Sequence, residues 1–256
     1  MLNLKYSNLQ KNFIKQGYTI FKISDIKSLN YLKSEVKKIL TSKNINLNNF
    51  HKNKKNNNLN KIRLKIIKKI NLNNNFKSKY FNIFEDTLNQ IIGSEISMQK
   101  NIGLNIQIPK SSNSLIEMHA DTYAGESNFE VVTWLPLVNV FKTKSMYVLP
   151  IKYSKEVEKN ISKYNEKGTD IIFKKYRKKI KFLNLKFGEG LVFSSNILHG
   201  NKINLTNETR FSFNCRFKNI FAPQNLNLTN KTNSNMYSNI SLKPASVIGL
   251  EYINKI

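Results

Sequence analysis

The part of the chain after residue 93 is built from short runs of strand-forming residues, and this pattern limits the fold more than any other feature. Seven such runs lie between residues 94 and 217: SEISMQ, GLNIQIP, FEVVTWLPLV, SMYVLP, KFLNLKF, GLVFSS and RFSFNCRF. They are rich in β-branched and aromatic residues, which favour strands. Helical periodicity dominates the residues before them. Helices followed by many short strands predict an α+β protein whose helices pack on a β-sandwich or barrel.

The residues before these runs predict a helical cover with one early strand. Residues 4–15 predict a short helix, and residues 18–23 (YTIFKI) predict a strand. Asp25 is placed to cap a helix that continues to Ile39, because apolar residues recur at helical spacing after it. Two further helices are predicted, over residues 62–70 and 78–92.

Two segments have an Asn-rich, low-complexity composition. Residues 41–62 have few large apolar groups in their middle, so we predict a mobile loop there. The tail after Pro223 is similar, apart from a short apolar stretch near residues 247–252. No internal repeat or second domain is visible. We therefore predict one domain over residues 1–256, with a helical cover (1–92), a β core (93–222) and a tail (223–256).

Positive charge is the most prominent feature of the composition. The formal net charge is +26, which is typical of proteins that bind nucleic acid or an anionic membrane. Nearly all of it comes from Lys, and the arginines are Arg63, Arg177, Arg210 and Arg216. Lys, Asn and Ile are enriched together, as in proteins of very AT-rich genomes. We therefore expect no specific nucleic-acid partner, because base and phosphate readers favour Arg; the surface could still attract anionic substrates.

The sequence also limits the location of the protein. Cys215 is the one cysteine, which excludes an internal disulfide and an all-cysteine zinc site. The first residues have no signal-peptide core, and no apolar run approaches the roughly 18 residues that a membrane span needs. We expect a cytoplasmic protein.

Two of the three histidines lie at the ends of strand-like segments, in MHADTYAG and NILHGNK. His119 and Asp121 are separated by one residue, so on an extended strand both side chains point to the same face. A His and a carboxylate, joined by the distant His199, form a two-His-one-carboxylate triad that leaves positions open on an octahedral iron. His-x-Asp alone is a weak signal, because an isolated His is more often an ordinary hydrogen-bonded residue.

The segment after His199 strengthens the case for a metal enzyme. Arg210 follows His199 by eleven residues and lies in RFSFNCRF. Strand alternation places Arg210, Ser212, Asn214 and Arg216 on one face and the aromatic residues on the other. A buried guanidinium is costly without an anion. A dicarboxylate cosubstrate would supply that anion, with its far carboxylate held by Arg210 and Ser212. The alternative is that this face is exposed to solvent and Arg210 is an ordinary surface residue.

The pattern of His-x-Asp, a distant His and Arg-x-Ser resembles the phytanoyl-CoA dioxygenase-like branch of the Fe(II)/2-oxoglutarate oxygenases. The segments HADTYAGESNFEVVTWLPLVNVFKTKSMYVLP and LHGNKINLTNETRFSFNCRFKNIFAP resemble a narrower group, the oxygenases encoded in sporadic carbohydrate-biosynthesis clusters. The resemblance covers residues 105–223. The opening with QGYTIF is compatible but less specific, and residues 41–62 match nothing in the family.

The resemblance implies a double-stranded β-helix that binds Fe(II) through His119, Asp121 and His199, with 2-oxoglutarate as cosubstrate and O2 as oxidant. It implies hydroxylation or another oxidation of a small molecule in carbohydrate biosynthesis, such as an anionic or nucleotide-linked sugar. Related halogenases lack the carboxylate ligand so that chloride can bind the iron. The presence of Asp121 therefore favours oxidation over halogenation.

Alternation suggests further residues for the interior of the β core. We predict that Gln107 and Thr133 contact the cosubstrate, although ordinary strand polarity explains both about as well. Asn105 and Tyr147 are weaker candidates of the same kind. Trp134 fits a core residue better than a sugar platform.

Two other function classes remain open from the sequence. One is a cupin-like metal enzyme that does not use 2-oxoglutarate, which would have no need of Arg210 as a dicarboxylate anchor. The other is a non-catalytic β-sandwich that binds sugar or nucleic acid, which predicts that His119 and His199 lie far apart.

Overall fold

The computed structural model describes residues 5–40, 45–52, 58–164, 168–223 and 236–254. The expected order, with helices first and a strand-rich region after them, is confirmed. The helices are α1 (Asn8–Gln16), α2 (Ile26–Ile39), α3 (Leu59–Asn71), α4 (Asn74–Ile92), α5 (Ile151–Glu158), α6 (Thr169–Tyr176) and α7 (Pro244–Asn254). Asp25 caps α2 as predicted, because its carboxylate accepts the backbone N–H of Ser28 at 2.9 Å.

The strands form two antiparallel sheets. They are β1 (Tyr18–Lys22), β2 (Ile96–Gln99), β3 (Gly103–Gln107), β4 (Val131–Pro136), β5 (Tyr147–Val148), β6 (Lys181–Phe182), β7 (Glu189–Ser194), β8 (His199–Gly200), β9 (Arg210–Asn219) and β10 (Tyr237–Ser241). The major sheet has the order β1-β7-β4-β9-β2-β10, and β3 also pairs with β9. The minor sheet has the order β6-β5-β8. This α+β arrangement confirms the expected double-stranded β-helix, which here does not close into a barrel.

The central strand β9 packs its aromatic face against the N-terminal helices, as its alternation predicts. Phe213 lies edge-on to Phe76 of α4, with ring centroids 5.5 Å apart. Phe217 packs on Phe81 of the same helix with a tilted ring, at a centroid distance of 6.2 Å. Both β9 side chains are fully buried. The large apolar area removed from water here fixes α4 to the outer side of the major sheet.

The part of residues 41–62 that the structure describes is not an irregular loop, whereas the predicted mobility of this segment stays a prediction. Leu47–Lys52 forms a 3-10 helix whose Leu47 and Phe50 are buried. Phe50 packs edge-on against Phe211 of β9, with centroids 5.1 Å apart. Two apolar residues in an Asn-rich background were enough to dock the segment. Residues 41–44 and 53–57 of that prediction lie outside the described residues, and α3 begins at Leu59.

The sequence did not predict α5, α6 or β10. Helices α5 and α6 contribute Val157 and Ile172 to a second buried cluster with Tyr147 and Leu198, on the outer side of the minor sheet. Strand β10 extends the major sheet by pairing with β2. Its sequence, YSNIS, lacks the apolar alternation that marks a buried strand. Among the described residues, no helix has the length and apolar character needed to cross a membrane.

Replacing Phe213 by Ala should lower the free energy of unfolding by about 3–5 kcal/mol, because it leaves a cavity between β9 and α4. Urea unfolding followed by circular dichroism measures this change. Phe129→Ala is the matched control, since Phe129 is 59% exposed; it should stay within about 0.5 kcal/mol of the wild type. Equal effects of the two variants would contradict the proposed packing.

Candidate metal centre

His119 and His199 are held side by side by the backbone of the minor sheet. The two residues form an isolated antiparallel bridge, in which each backbone N–H donates to the other residue's carbonyl, at 3.0 and 2.9 Å. Their imidazole rings therefore lie close, with centroids 4.4 Å apart. Asp121 begins the 3-10 helix Asp121–Ala124 rather than continuing a strand. One potential ligand atom from each of the three residues nevertheless lies within 4.8 Å of the other two.

The hydrogen bonds of the two histidines leave one nitrogen of each ring available. Nδ1 of His119 lies 2.8 Å from the carbonyl of Glu117, and Nδ1 of His199 lies 3.0 Å from the carbonyl of Ile197. A carbonyl only accepts, so each Nδ1 carries the proton and Nε2 keeps its lone pair, as a metal ligand requires. Burial lowers the pKa of His199 to about 4, which keeps this ring neutral at pH 7.

Asp121 is ionised although it is 3% exposed. Burial alone would raise the pKa of its carboxyl, but His199 and Arg216 outweigh burial and lower that pKa below its ordinary value. Nη2 of Arg216 donates to Oδ1 of Asp121 at 2.5 Å. The second oxygen, Oδ2, is buried and has no hydrogen-bond partner among the described residues. An anionic oxygen without a partner, next to two free Nε2 atoms, fits a divalent cation.

The three candidate ligands line a cavity of about 220 Å³ between the two sheets. The polar face of β9 forms one wall, as its alternation predicts. The lining residues are Asn105, Ile116, His119, Asp121, Val132, Trp134, Met146, Phe193, His199, Gly200, Asn201, Arg210, Ser212, Asn214 and Arg216.

Arg210 is the most deeply buried charge in this cavity. It is 2% exposed, and burial lowers its pKa to about 9, so it remains charged at pH 7. Its Nη1 donates to the carbonyl of Lys144 at 3.2 Å, and its Nη2 donates to Oδ1 of Asn105 at 2.7 Å. Within the described ranges, its Nε has no hydrogen-bond partner, and neither has the buried hydroxyl of Ser212. No described carboxylate forms an ion pair with Arg210, so its charge is not neutralised within the described part of the chain.

The structure does not bring the other two predicted cosubstrate contacts into the cavity lining. Thr133 lies on the helix side of β4, where its hydroxyl is hydrogen-bonded to Tyr80 at 2.9 Å and to the carbonyl of Cys215 at 3.1 Å. Both faces of β4 are buried, so polarity could not tell them apart. Gln107 is buried beside β9 and donates to the carbonyl of Lys202 at 2.7 Å.

The aromatic candidates also separate. Tyr147 packs against Phe173 and Phe182 on the outer side of the minor sheet and does not line the cavity. Trp134 is 6% exposed and does line it, with the guanidinium of Arg210 5.8 Å from its ring. Trp134 is thus a core residue whose ring also forms a cavity wall.

Sequence reasoning gave no role to two residues that hold this site together. Arg216 was placed on the correct face of β9, but its ion pair with Asp121 depends on the turn that follows His119. Asn201 joins the loop before His119 to the strand of His199, because its Oδ1 accepts the backbone N–H of Ile116 at 2.8 Å. Its position two residues after His199 is the signal that could have found it, since alternation places both side chains on one face.

The sequence matches no protein-family profile and has no significant match among curated proteins. Solved structures with a similar fold were found. The nickel complex of the non-heme monooxygenase ThoJ superposes with a TM-score of 0.55 at 15% identity, over 85% of this chain and 80% of that chain. The non-heme alpha-ketoglutarate-dependent carbocyclase SnoK from nogalamycin biosynthesis has a TM-score of 0.56 at 10% identity, over 94% of both chains.

A third similar structure is HygX from Streptomyces hygroscopicus, solved with nickel and 2-oxoglutarate bound. It has a TM-score of 0.50 at 9% identity, over 85% of this chain and 88% of that chain. At these identities the likeness concerns the fold. The chain therefore has the fold of non-heme oxygenases. Its candidate metal centre has two imidazoles and one carboxylate, the ligand types that suit a non-heme iron.

Proposed function

We propose that this protein is a non-haem Fe(II)- and 2-oxoglutarate-dependent oxygenase. One observation carries the proposal: a two-His-one-carboxylate cluster lines the same cavity of about 220 Å³ as the buried Arg210, which has no ion-pair partner among the described residues. The cluster would hold Fe(II) on one face and leave positions for other ligands. Arg210 supplies a fixed positive charge for the far carboxylate of a short diacid. A metal enzyme that does not use a dicarboxylate would have no need of that charge.

Several groups in the cavity have no hydrogen-bond partner among the described residues, and they suit Fe(II) and 2-oxoglutarate. Oδ2 of Asp121 and the Nε2 atoms of His119 and His199 are the proposed metal ligands. Nε of Arg210 and the hydroxyl of Ser212 are donors that have no hydrogen-bond partner among the described residues, and both suit a carboxylate. The buried groups among them, on Asp121, Arg210 and Ser212, cost free energy as long as they have no partner. Binding of metal and diacid would therefore remove these costs.

With O2 as the oxidant, bound Fe(II) and 2-oxoglutarate would supply an oxidative decarboxylation, giving succinate and CO2, that is coupled to the oxidation of a C–H bond. The chain's own residues orient the reactants and exclude water. Val132, Met146 and Phe193 give the cavity apolar walls, which strengthens the electrostatic contacts inside it. Arg216 holds Asp121 in its ionised form. The substrate would be a small molecule, and the resemblance of residues 105–223 favours a sugar or sugar-derived intermediate.

His119→Ala should weaken divalent-metal binding by more than about 100-fold. Mutation of a residue that only hydrogen-bonds to a metal ligand already lowers metal affinity by roughly 10- to 100-fold. Calorimetric titration with Fe(II) under anaerobic conditions measures the affinity. The fold should persist, because the side chain of His119 is 36% exposed. His51→Ala is the matched control; its Nδ1 lies 2.9 Å from the hydroxyl of Thr209, away from the cavity lining. Unchanged metal affinity in His119→Ala would exclude His119 as a ligand.

Arg210→Ala should weaken 2-oxoglutarate binding by roughly thirty- to several-thousand-fold. Loss of a charge-assisted contact to a buried partner costs on the order of 2–5 kcal/mol, and about 1.4 kcal/mol corresponds to tenfold. Arg210→Lys should restore binding only in part, because an ammonium cannot form a bidentate pair. The measurement is calorimetric titration of 2-oxoglutarate into the anaerobic Fe(II) protein.

The same titrations separate a binding defect from misfolding. Metal affinity and the far-UV spectrum should change little in both Arg210 variants, since Arg210 is not a proposed metal ligand. Unchanged 2-oxoglutarate affinity in Arg210→Ala would leave the metal site in place and remove the assignment as a 2-oxoglutarate oxygenase.

A further inference from the structure

A second, larger cleft adjoins the metal cavity. It has a volume of about 790 Å³ and shares Asn105 and Ile116 with the metal cavity. It is lined by the start of α3, by strand β3 and by the loop 113–116. The described lining residues are Asn58, Leu59, Asn60, Arg63, Asn105, Ile106, Asn113, Ser114, Leu115 and Ile116.

The wall formed by loop 113–116 is fixed to the metal-binding strand. Asn201, two residues after His199, donates its side-chain amide to the carbonyl of Ser114 at 3.0 Å and accepts the N–H of Ile116 at 2.8 Å. Its backbone N–H also donates to the carbonyl of Ile116 at 3.0 Å. Because these bonds leave the loop little freedom, the cleft is a built feature with a fixed position relative to the metal centre.

Arg63 is the one charged side chain among the described residues that line this cleft. Its Nε and Nη2 donate to Oδ1 of Asn60 at 3.3 and 3.0 Å, and its Nη1 donates to the carbonyl of Leu104 at 3.5 Å. A guanidinium has five N–H groups, so two remain for a ligand once these bonds within the described chain are made. Leu104 directly precedes Asn105, which contacts Arg210. Strand β3 thus both holds the guanidinium of Arg63, through the carbonyl of Leu104, and borders the metal cavity, through Asn105.

The arginine content of the chain makes this position notable. Lysine supplies almost all the positive charge, and three of the four arginines line one of these two adjoining cavities. Arg210 and Arg216 face the smaller one, and Arg63 faces the larger one. A guanidinium differs from an ammonium in its planar fork, which matches the geometry of a carboxylate or a phosphate. No described carboxylate lines the larger cleft, so an anion there would meet no repulsion from its walls.

The volumes assign different occupants to the two cavities. Sites for small molecules commonly measure roughly 300–1,000 Å³. The metal cavity, at about 220 Å³, falls below that range, whereas the cleft, at about 790 Å³, lies within it. A metal and a diacid in the smaller cavity would leave little room for a second molecule. Because the two cavities share Asn105 and Ile116, the cleft is the adjoining space from which a substrate would reach the metal.

We propose that this cleft binds the substrate, that the substrate carries an oxyanion (a phosphate or a carboxylate), and that Arg63 recognises this group. The amide and hydroxyl groups of the Asn and Ser lining residues suit a polar, hydroxylated body between that anion and the metal. The inference rests on the proposed function for the presence of a reacting carbon near the metal. The anion site itself can be tested separately.

The test is calorimetric titration of the full-length protein with three probes: glucose 1-phosphate, gluconate and neutral glucose. The wild type should bind one or both anions at millimolar concentration and bind neutral glucose at least about tenfold more weakly. Arg63→Gln should weaken that anion binding by about tenfold or more, since hydrogen bonds to charged groups contribute roughly 1.5–3 kcal/mol. Arg63→Lys should keep part of it. The two anions distinguish a phosphate from a carboxylate.

Arg177→Gln is the matched control, because it removes the same charge from an exposed position outside both cavities. It should leave anion binding unchanged. Equal losses in Arg63→Gln and Arg177→Gln would overturn the inference in favour of general attraction by the basic surface. Failure of both anions to bind the wild type would overturn it as well.

Titration of 2-oxoglutarate into the same anaerobic Fe(II) proteins separates the two proposals. Arg63→Gln should bind 2-oxoglutarate as the wild type does, because Arg63 does not line the metal cavity. A wild type that binds 2-oxoglutarate, with anion binding unaffected by Arg63→Gln, would remove this inference alone. A wild type that does not bind 2-oxoglutarate would remove the proposed function, whatever the anions do.

Discussion

The twofold alternation of β9 is the constraint on which both the core and the site depend. Phe211, Phe213 and Phe217 alternate with Arg210, Ser212 and Arg216 along one strand, so the two sets must lie on opposite faces. Burial of the aromatic set beneath α4 and the 3-10 helix Leu47–Lys52 therefore forces the polar set into the space between the sheets. A slip of one residue in the register would exchange the two sets and remove the core and the cavity together.

The same alternation explains how much of the molecule the sequence could predict. The sequence predicts the fold class, the polar face of β9 and the three candidate metal ligands, because each depends on a period of two or on one short motif. It could not orient β4, whose residues are buried on both faces, so Thr133 was assigned to the cavity although it contacts Tyr80. Contacts between distant segments leave no local pattern, which is why the docking of Phe50 on Phe211 was missed.

The charges behind the metal centre form a connected group that ties the tail of the chain to the site. Arg216, paired with Asp121, also lies 3.9 Å from a carboxylate oxygen of Glu126. Glu126 accepts a hydrogen bond from the hydroxyl of Tyr237 on β10 at 3.2 Å. Burial, followed by the neighbouring Glu126, raises the pKa of Glu130 well above its ordinary value. The raised pKa favours the protonated form of Glu130, which lessens the repulsion between the two buried carboxyl groups.

Net charge and local charge therefore have different meanings in this protein. The +26 surface is mostly lysine, whose flexible ammonium groups remain hydrated and interact with salt as much as with any ligand. The buried guanidinium group of Arg210 is fixed by the backbone carbonyl of Lys144 and the side-chain amide of Asn105. Because these partners are neutral, they hold the direction of the fork without cancelling its charge. The cavity thus keeps a positive charge at a fixed place, which a hydrated lysine on the surface cannot provide.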